Sequence, residues 1–354
     1  MAGFFIYFDP YISAPMRRIL LVIALLLVLV GAYFAWVFFG SATGFRGDVK
    51  YLYIPSDNPT PETVLNLIKR DTLVKHMRGF NFLAERMDYW RNIKPGKYKI
   101  AQGDNLVDIV RRLRNGQQEP VNLVIVKFRT REALAGAMAR KLECDSADFL
   151  SFMNNADSLQ PYGVDTNTVM TLIVPDTYTH FWNTTPKKVF NKFYEAYKST
   201  WTEERKRKAA ALNLTPASAY TLASIIEEET NDKNDKPLMA SVYLNRISKG
   251  MRLGADPTVK FALRDFDIKR IYEKHTAVES PYNTYRVFGL PPGPICTPSL
   301  ETLDAVLNAP TTDYLYFVAK SDFKGSHVFT TNYDDHLRYA REYQEAYDRR
   351  FGNK

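Results

Sequence analysis

The chain has 354 residues, a formal net charge of +8, 45% hydrophobic and 24% charged residues, a balance that suits one large or two to three ordinary globular domains. Lys and Arg are spread without a block of like charge or a nucleic-acid motif. This argues against nucleic acid as partner and leaves a solvated basic surface or an anionic polymer or membrane. Cys144 and Cys296 form no C-x-x-C pair and no histidine sits in an H-E-x-x-H frame, so no disulfide framework, metal or cofactor is expected.

Residues 19–40 read ILLVIALLLVLVGAYFAWVFFG, without a charge. At about 1.5 Å per helical residue this crosses a hydrocarbon core of about 30 Å. Arg17 and Arg18 precede it, and Tyr33 and Trp36 fall toward its far end, as interfacial aromatics do. A signal anchor is expected, with residues 1–18 cytoplasmic and the rest beyond the membrane. A cleaved signal peptide is the alternative, for which the apolar stretch is long and GSA at 40–42 a weak cleavage site.

Residues 41–47 form a linker. VKYLYIP (49–55) has strand character, and TPETVLNLIKR (60–70) opens a helix with Thr60 as N-cap, Pro61 first and Val64, Leu65 and Ile68 on one face. A second helix follows around 72–87. Then come a strand, a Gly-Asp turn, an amphipathic helix bearing Leu106, Ile109, Val110 and Leu113, a stop at Gly116, and another strand ending near 126. YKIAQGDNLVDIV (98–110) resembles the opening of a LysM module, a small βααβ glycan-binding unit. Any small α+β domain with a Gly-Asp turn is the alternative. After 126, longer helical patterns dominate: 130–143, 187–201, and a helix capped by Thr215 with Pro216 first. VPDTYTHFW (174–182) reads as an aromatic, Pro-broken loop. YLYFVAK (314–320) and HVFTTN (327–332) read as a hairpin, and a charged helix at about 334–350 closes the chain.

The helix after Thr215 ends in TLASIIEEET (221–230). At about 100° per residue, Ala219, Leu222, Ala223 and Ile226 make one apolar stripe. Relative to Ile226, Glu229 lies at about −60°, inside the stripe. Glu227 lies at about +100°, on its edge beside Tyr220, and Glu228 at about 200°, facing away. Glu228 is therefore expected to be solvated. Glu229 must find a partner or stay protonated. Glu227 meets a dry side and a ligand side. Partial burial, neighbouring carboxylates and the negative helix end would each hold a proton on Glu227, as a general acid for glycosidic cleavage requires. An acidic helix end without chemistry stands beside that reading.

LASIIEEET (222–230), MRLGADPTV (251–259), YNTY (282–285) and GLPPGPICTP (289–298) occur in this order, with PDTY (175–178) before them. As a set they resemble the endolytic murein transglycosylase family, the YceG-like lytic transglycosylases, over roughly residues 45–345. The resemblance implies an α+β protein: the transmembrane helix at 19–40, a LysM-like domain at 48–126 and a YceG-like catalytic domain at 127–350. It implies residence in the inner membrane with the catalytic domain outside the cytoplasm, and cleavage of the β-1,4 bond between N-acetylmuramic acid and N-acetylglucosamine. Peptidoglycan strands are then the substrate and peptidoglycan synthases candidate partners. Glu227 matches the family's acid/base, and Glu229 its second glutamate, supporting the site. Asp256 and Thr258 of ADPT line the cleft, unless Asp256 is only an N-cap before Pro257. Tyr282, Asn283 and Tyr285 contact sugars, unless they form a packed loop, and Tyr220 supports Glu227. Two departures stand out: KFRTRE (127–132) lacks the usual Glu-Gly pair, and Glu228 stands where relatives are often basic. A hydrolysing muramidase and a non-catalytic glycan-binding scaffold remain as rivals. SDFK (321–324) matches S-x-x-K but has no K-T-G or S-D-N beside it.

Overall fold

A computed structural model describes residues 14–352, so most of the expected cytoplasmic segment, residues 1–13, lies outside it. The described chain is mixed α+β and divides into two compact units. One comprises the chain up to Val121 together with Phe181–Asn183, and the other comprises Asn122–His180 and Thr184 onward.

The first unit begins with helix α1 (Ala14–Phe39), whose apolar side chains are exposed along most of its length. Among the described residues it is the one helix long and apolar enough by itself to cross a membrane. Then follow β1 (Val49–Ile54), α2 (Pro61–Arg70), α3 (Met77–Arg86), β2 (Gly96–Ala101) and α4 (Leu106–Asn115). β1 and β2 pair antiparallel, Leu52 opposite Tyr98, so alternate side chains Leu52, Ile54, Tyr98 and Ile100 turn inward. Thr60 caps α2 by accepting from Thr63 N at 3.2 Å. Asn105 caps α4, and Gly116 ends it at φ +69°, a left-handed conformation that favours glycine. The four apolar residues expected on α4 are all buried. β2 pairs with the strand before it in sequence, so the strand–helix–helix–strand path is β1–α2–α3–β2 and ends at the stretch compared with a LysM opening.

The second unit contains most of β3 (Pro120–Val124) and of β4 (Thr177–Phe181), which pair with each other. Thus the 174–182 segment contains a strand where a loop was expected. Its Tyr178 and His180 face inward with period two, a pattern that Pro175 and the polar alternation masked. Between them lie α5 (Arg131–Ala139), α6 (Ser146–Asn154) and the short α7 (Ala156–Leu159). After β4 come α8 (Pro186–Thr200), α9 (Glu203–Ala211), α10 (Pro216–Glu229), α11 (Asp235–Ser248), α12 (Asp256–Leu263), the short α13 (Glu273–Thr276) and α14 (Leu300–Leu307). The hairpin β5 (Tyr316–Ala319) and β6 (His327–Thr330) and the helix α15 (Tyr333–Phe351) complete the unit.

α10 is the central helix. A capping box between Thr215 and Ser218 starts it, and α11, α12 and α14 pack around it. Every residue from Ala219 to Ile226 is buried, not one stripe. A helix surrounded by helices has no solvent face. Its buried hydroxyls are satisfied locally: Thr221 Oγ1 donates to Ala217 O and Ser224 Oγ to Thr221 O.

Candidate active site

The three glutamates at the end of α10 take three different partners. Glu227 is held through one oxygen. Its Oε2 accepts from Ser299 Oγ at 3.0 Å, from Lys236 Nζ at 3.3 Å and, in a very short contact, from Thr302 Oγ1. Ser299 is the N-cap of α14, Thr302 lies in its first turn, and Lys236 is the second residue of α11. Lys236 is only 7% exposed and also donates to Thr302 Oγ1 at 2.7 Å. The starts of two helices therefore converge on the end of a third. The other oxygen of Glu227 takes no part in these bonds, and Glu227 lines a cavity of about 670 Å³.

Glu228 is not solvated. It is 11% exposed, with Lys127 Nζ at 3.1 Å and Arg129 Nη2 at 2.8 Å. The wheel places Glu228 opposite the apolar stripe correctly, but that side of α10 is covered by the 127–129 segment. Glu229 accepts from Tyr243 Oη at 2.8 Å. Burial, reinforced by the charge of Asp256 and opposed by the Tyr243 bond, pushes its carboxyl up to about 7. The partner demanded of Glu229 by its inward position is thus the Tyr243 hydroxyl. The neighbours of Glu227 are engaged elsewhere and its own partner is an ammonium group, so a row of unpaired like charges is not what surrounds it.

The other expected site residues are spread more widely. Tyr220 is buried and donates to Ile173 O. Thr258 is buried and bonded to Ala255 O and Thr284 Oγ1, which fastens the start of α12 to the YNTY loop. Asn283 is buried as well, and its amide donates to Thr276 O and Val278 O. None of these three presents surface to a ligand. Ala255, not Asp256, is the N-cap of α12, and Asp256 Oδ1 accepts from Tyr285 Oη at 2.5 Å. Tyr282 packs on Phe261, ring centroids 4.7 Å apart, and lines a separate 170 Å³ pocket with Arg131 and Arg264. Of the expected residues, only Glu227 and Glu229 line the larger cavity.

The Pro-rich segment forms a wall behind α10. Ile295 N donates to Ser224 Oγ at 3.0 Å, and Thr297 N to Phe128 O at 2.9 Å. Gly293 passes so close to Asn167 that a Cβ would lie 2.0 Å from its carbonyl oxygen. Lys236, Ser299 and Thr302 went unnoticed in the sequence. Lys236 sits in the polar run NDKNDKP, which reads as solvated, whereas Ser299, opening SLETL, carries a recognisable N-cap signal.

A mixed α+β unit built round a central helix, with carboxylates and cations lining a cavity at its end, is the layout of a candidate acid/base enzyme. The chain belongs to the YceG-like family, whose model matches residues 52–342. It is 29% identical to the endolytic murein transglycosylase of Bacillus subtilis over 82% of this chain and 83% of that one. It is 26% identical to that of Streptococcus pneumoniae, over 78% of this chain and 55% of that longer one. The crystal structure of a yceG-like protein from Listeria monocytogenes superposes with a TM-score of 0.54 at 26% identity, covering 82% of this chain and 98% of that one. Glu228 and the 127–132 stretch, far apart in sequence, meet in space through the pairs with Lys127 and Arg129.

Proposed function

We propose that this chain is a membrane-anchored endolytic lytic transglycosylase of peptidoglycan, with Glu227 as its catalytic acid. The observation that carries the reading is the mounting of Glu227: one oxygen accepts from three donors, and the residue lines the cavity. An oxygen accepting that many hydrogens is not the protonated one, so the acidic proton belongs on Oε1. Family membership and the names of the relatives support the substrate class.

In this reading Glu227 protonates the glycosidic oxygen of the N-acetylmuramic acid to N-acetylglucosamine bond while C1 gains oxocarbenium character. The O6 hydroxyl of the muramic acid closes on C1 and leaves a 1,6-anhydro end, without consuming water. Such cuts within nascent strands terminate their elongation. α1 serves as a single-pass anchor, oriented by Arg17 and Arg18 with the catalytic unit outside the cytoplasm. The LysM-like reading of the first unit makes it a glycan-orienting module, and synthases are partners on the same strands.

A second reading rests on Glu229, held near neutrality at about 7 in the same cavity. Two carboxyl groups in different environments are what a hydrolase uses as acid and base. Mass spectrometry of products from uncrosslinked nascent glycan separates the two. Anhydro ends from the wild type, lost in Glu227→Gln, support the first. Hydrated reducing ends would replace it with the second.

A further inference from the structure

His327 opens β6 and lines the same cavity as Glu227 and Glu229. Its backbone N donates to Asp235 Oδ2 at 2.8 Å, and its ring Nδ1 lies 2.9 Å from that same oxygen. A carboxylate only accepts, so Nδ1 carries hydrogen and Nε2 is the lone-pair nitrogen of the neutral ring. The Phe317 and imidazole rings meet nearly at right angles, centroids 5.8 Å apart. Asp235 is buried and directly precedes Lys236 at the start of α11. One turn of helix thus orients two cavity groups: Lys236 holds Glu227, and Asp235 holds His327. A hydrogen bond to the backbone would suffice to pin the hairpin. The second bond, to the ring, fixes a tautomer.

We infer that His327 Nε2 is the base that takes the O6 proton, with Asp235 as its positioning residue. This rests on the transglycosylase reading above. Glu227 gives its proton to the glycosidic oxygen as the C1–O bond breaks, and that electron pair stays on the leaving oxygen. O6 gives its proton to Nε2 and its electron pair forms the O6–C1 bond. Glu227 is left as carboxylate and His327 as imidazolium facing Asp235. Return of that proton to Glu227 restores the resting enzyme, and no oxidant, reductant or water is consumed. Glu227, with one oxygen already occupied, then acts as the acid alone and His327 as the base.

The test uses the full chain in detergent on uncrosslinked glycan strands. His327→Ala should lower kcat about 100-fold with KM within about twofold, shift products from anhydro toward hydrated ends, and regain activity with added imidazole. His327→Gln keeps a donor for Asp235 but has no base, so it should retain the wild-type melting temperature and be equally slow. Asp235→Ala removes the acceptor that fixes the Nδ1–H tautomer and should also lower kcat. A folded His327→Ala or His327→Gln with wild-type kcat and product ratio overturns the inference. So does an inactive His327→Ala that imidazole does not rescue and whose residual products keep the wild-type ratio. A wild type that makes no anhydro ends overturns the underlying reading instead.

Discussion

Lys236 Nζ lies 3.3 Å from Glu227 Oε2, and both side chains are largely withdrawn from solvent. Nine positions separate them along the chain. α10 ends, the chain turns, and the first turn of α11 delivers an ammonium group to the carboxyl that the sequence alone placed beside other carboxylates.

Glu227→Gln keeps an amide oxygen for Ser299, Thr302 and Lys236 but has no acidic proton. Strand cleavage should fall by a factor of about 10² to 10⁴, in line with loss of a general acid. Far-UV circular dichroism should be unchanged. Product release from radiolabelled glycan measures the first and a thermal melt of the same sample the second.

Lys236→Met removes the cation and leaves Glu227 beside two hydroxyls. Breaking a fully enclosed ion pair costs roughly 3–5 kcal/mol. Glu227 still meets cavity water, so a loss of about 2–3 kcal/mol is expected here. Adding Glu227→Gln should recover part of it. Urea denaturation of both single variants and the double variant closes that cycle.

Glu229 carries a pH signature. Its carboxyl is raised from an ordinary 4.5 to about 7 in the fold, so the folded state binds the extra proton. The corresponding stability is fully present below about pH 4.5 and is lost as pH rises through about 7. The loss is on the order of 3 kcal/mol. Glu229→Gln, which keeps an acceptor for Tyr243, should flatten that part of the profile. Unfolding free energies at pH 5, 6, 7 and 8 for both proteins provide the comparison. An identical slope in the two would mean that Glu229 titrates normally.

Gly293→Ala would drive a methyl into the carbonyl of Asn167. Overpacking of this kind typically costs about 1–3 kcal/mol. The contact here is with backbone, which yields less than a side chain, so the upper part of that range is expected. Because this segment backs α10 through Ser224, cleavage should weaken along with the melting temperature.

Much of this protein was determined by local sequence signals. The charge-free run at 19–40, the Thr60 and Thr215 caps, the α4 face and the closing hairpin follow from propensities that act within a few residues. Motif order carried the family, and helical spacing was enough to turn Glu229 inward. What surrounds the end of α10 was decided only by the tertiary structure. Lys127 and Arg129, Lys236, Ser299 and Thr302, and His327 come from four separate segments of the chain. A helical wheel assumes that one side of a helix faces water. α10 is enclosed on every side, so its outward Glu228 became an ion-pair partner. Likewise the conspicuous polar residues of ADPT and YNTY were spent largely on joining two loops. Local spacing tells where a side chain points. Only the packing of distant segments tells what it meets there, and for buried charges the partner sets the chemistry.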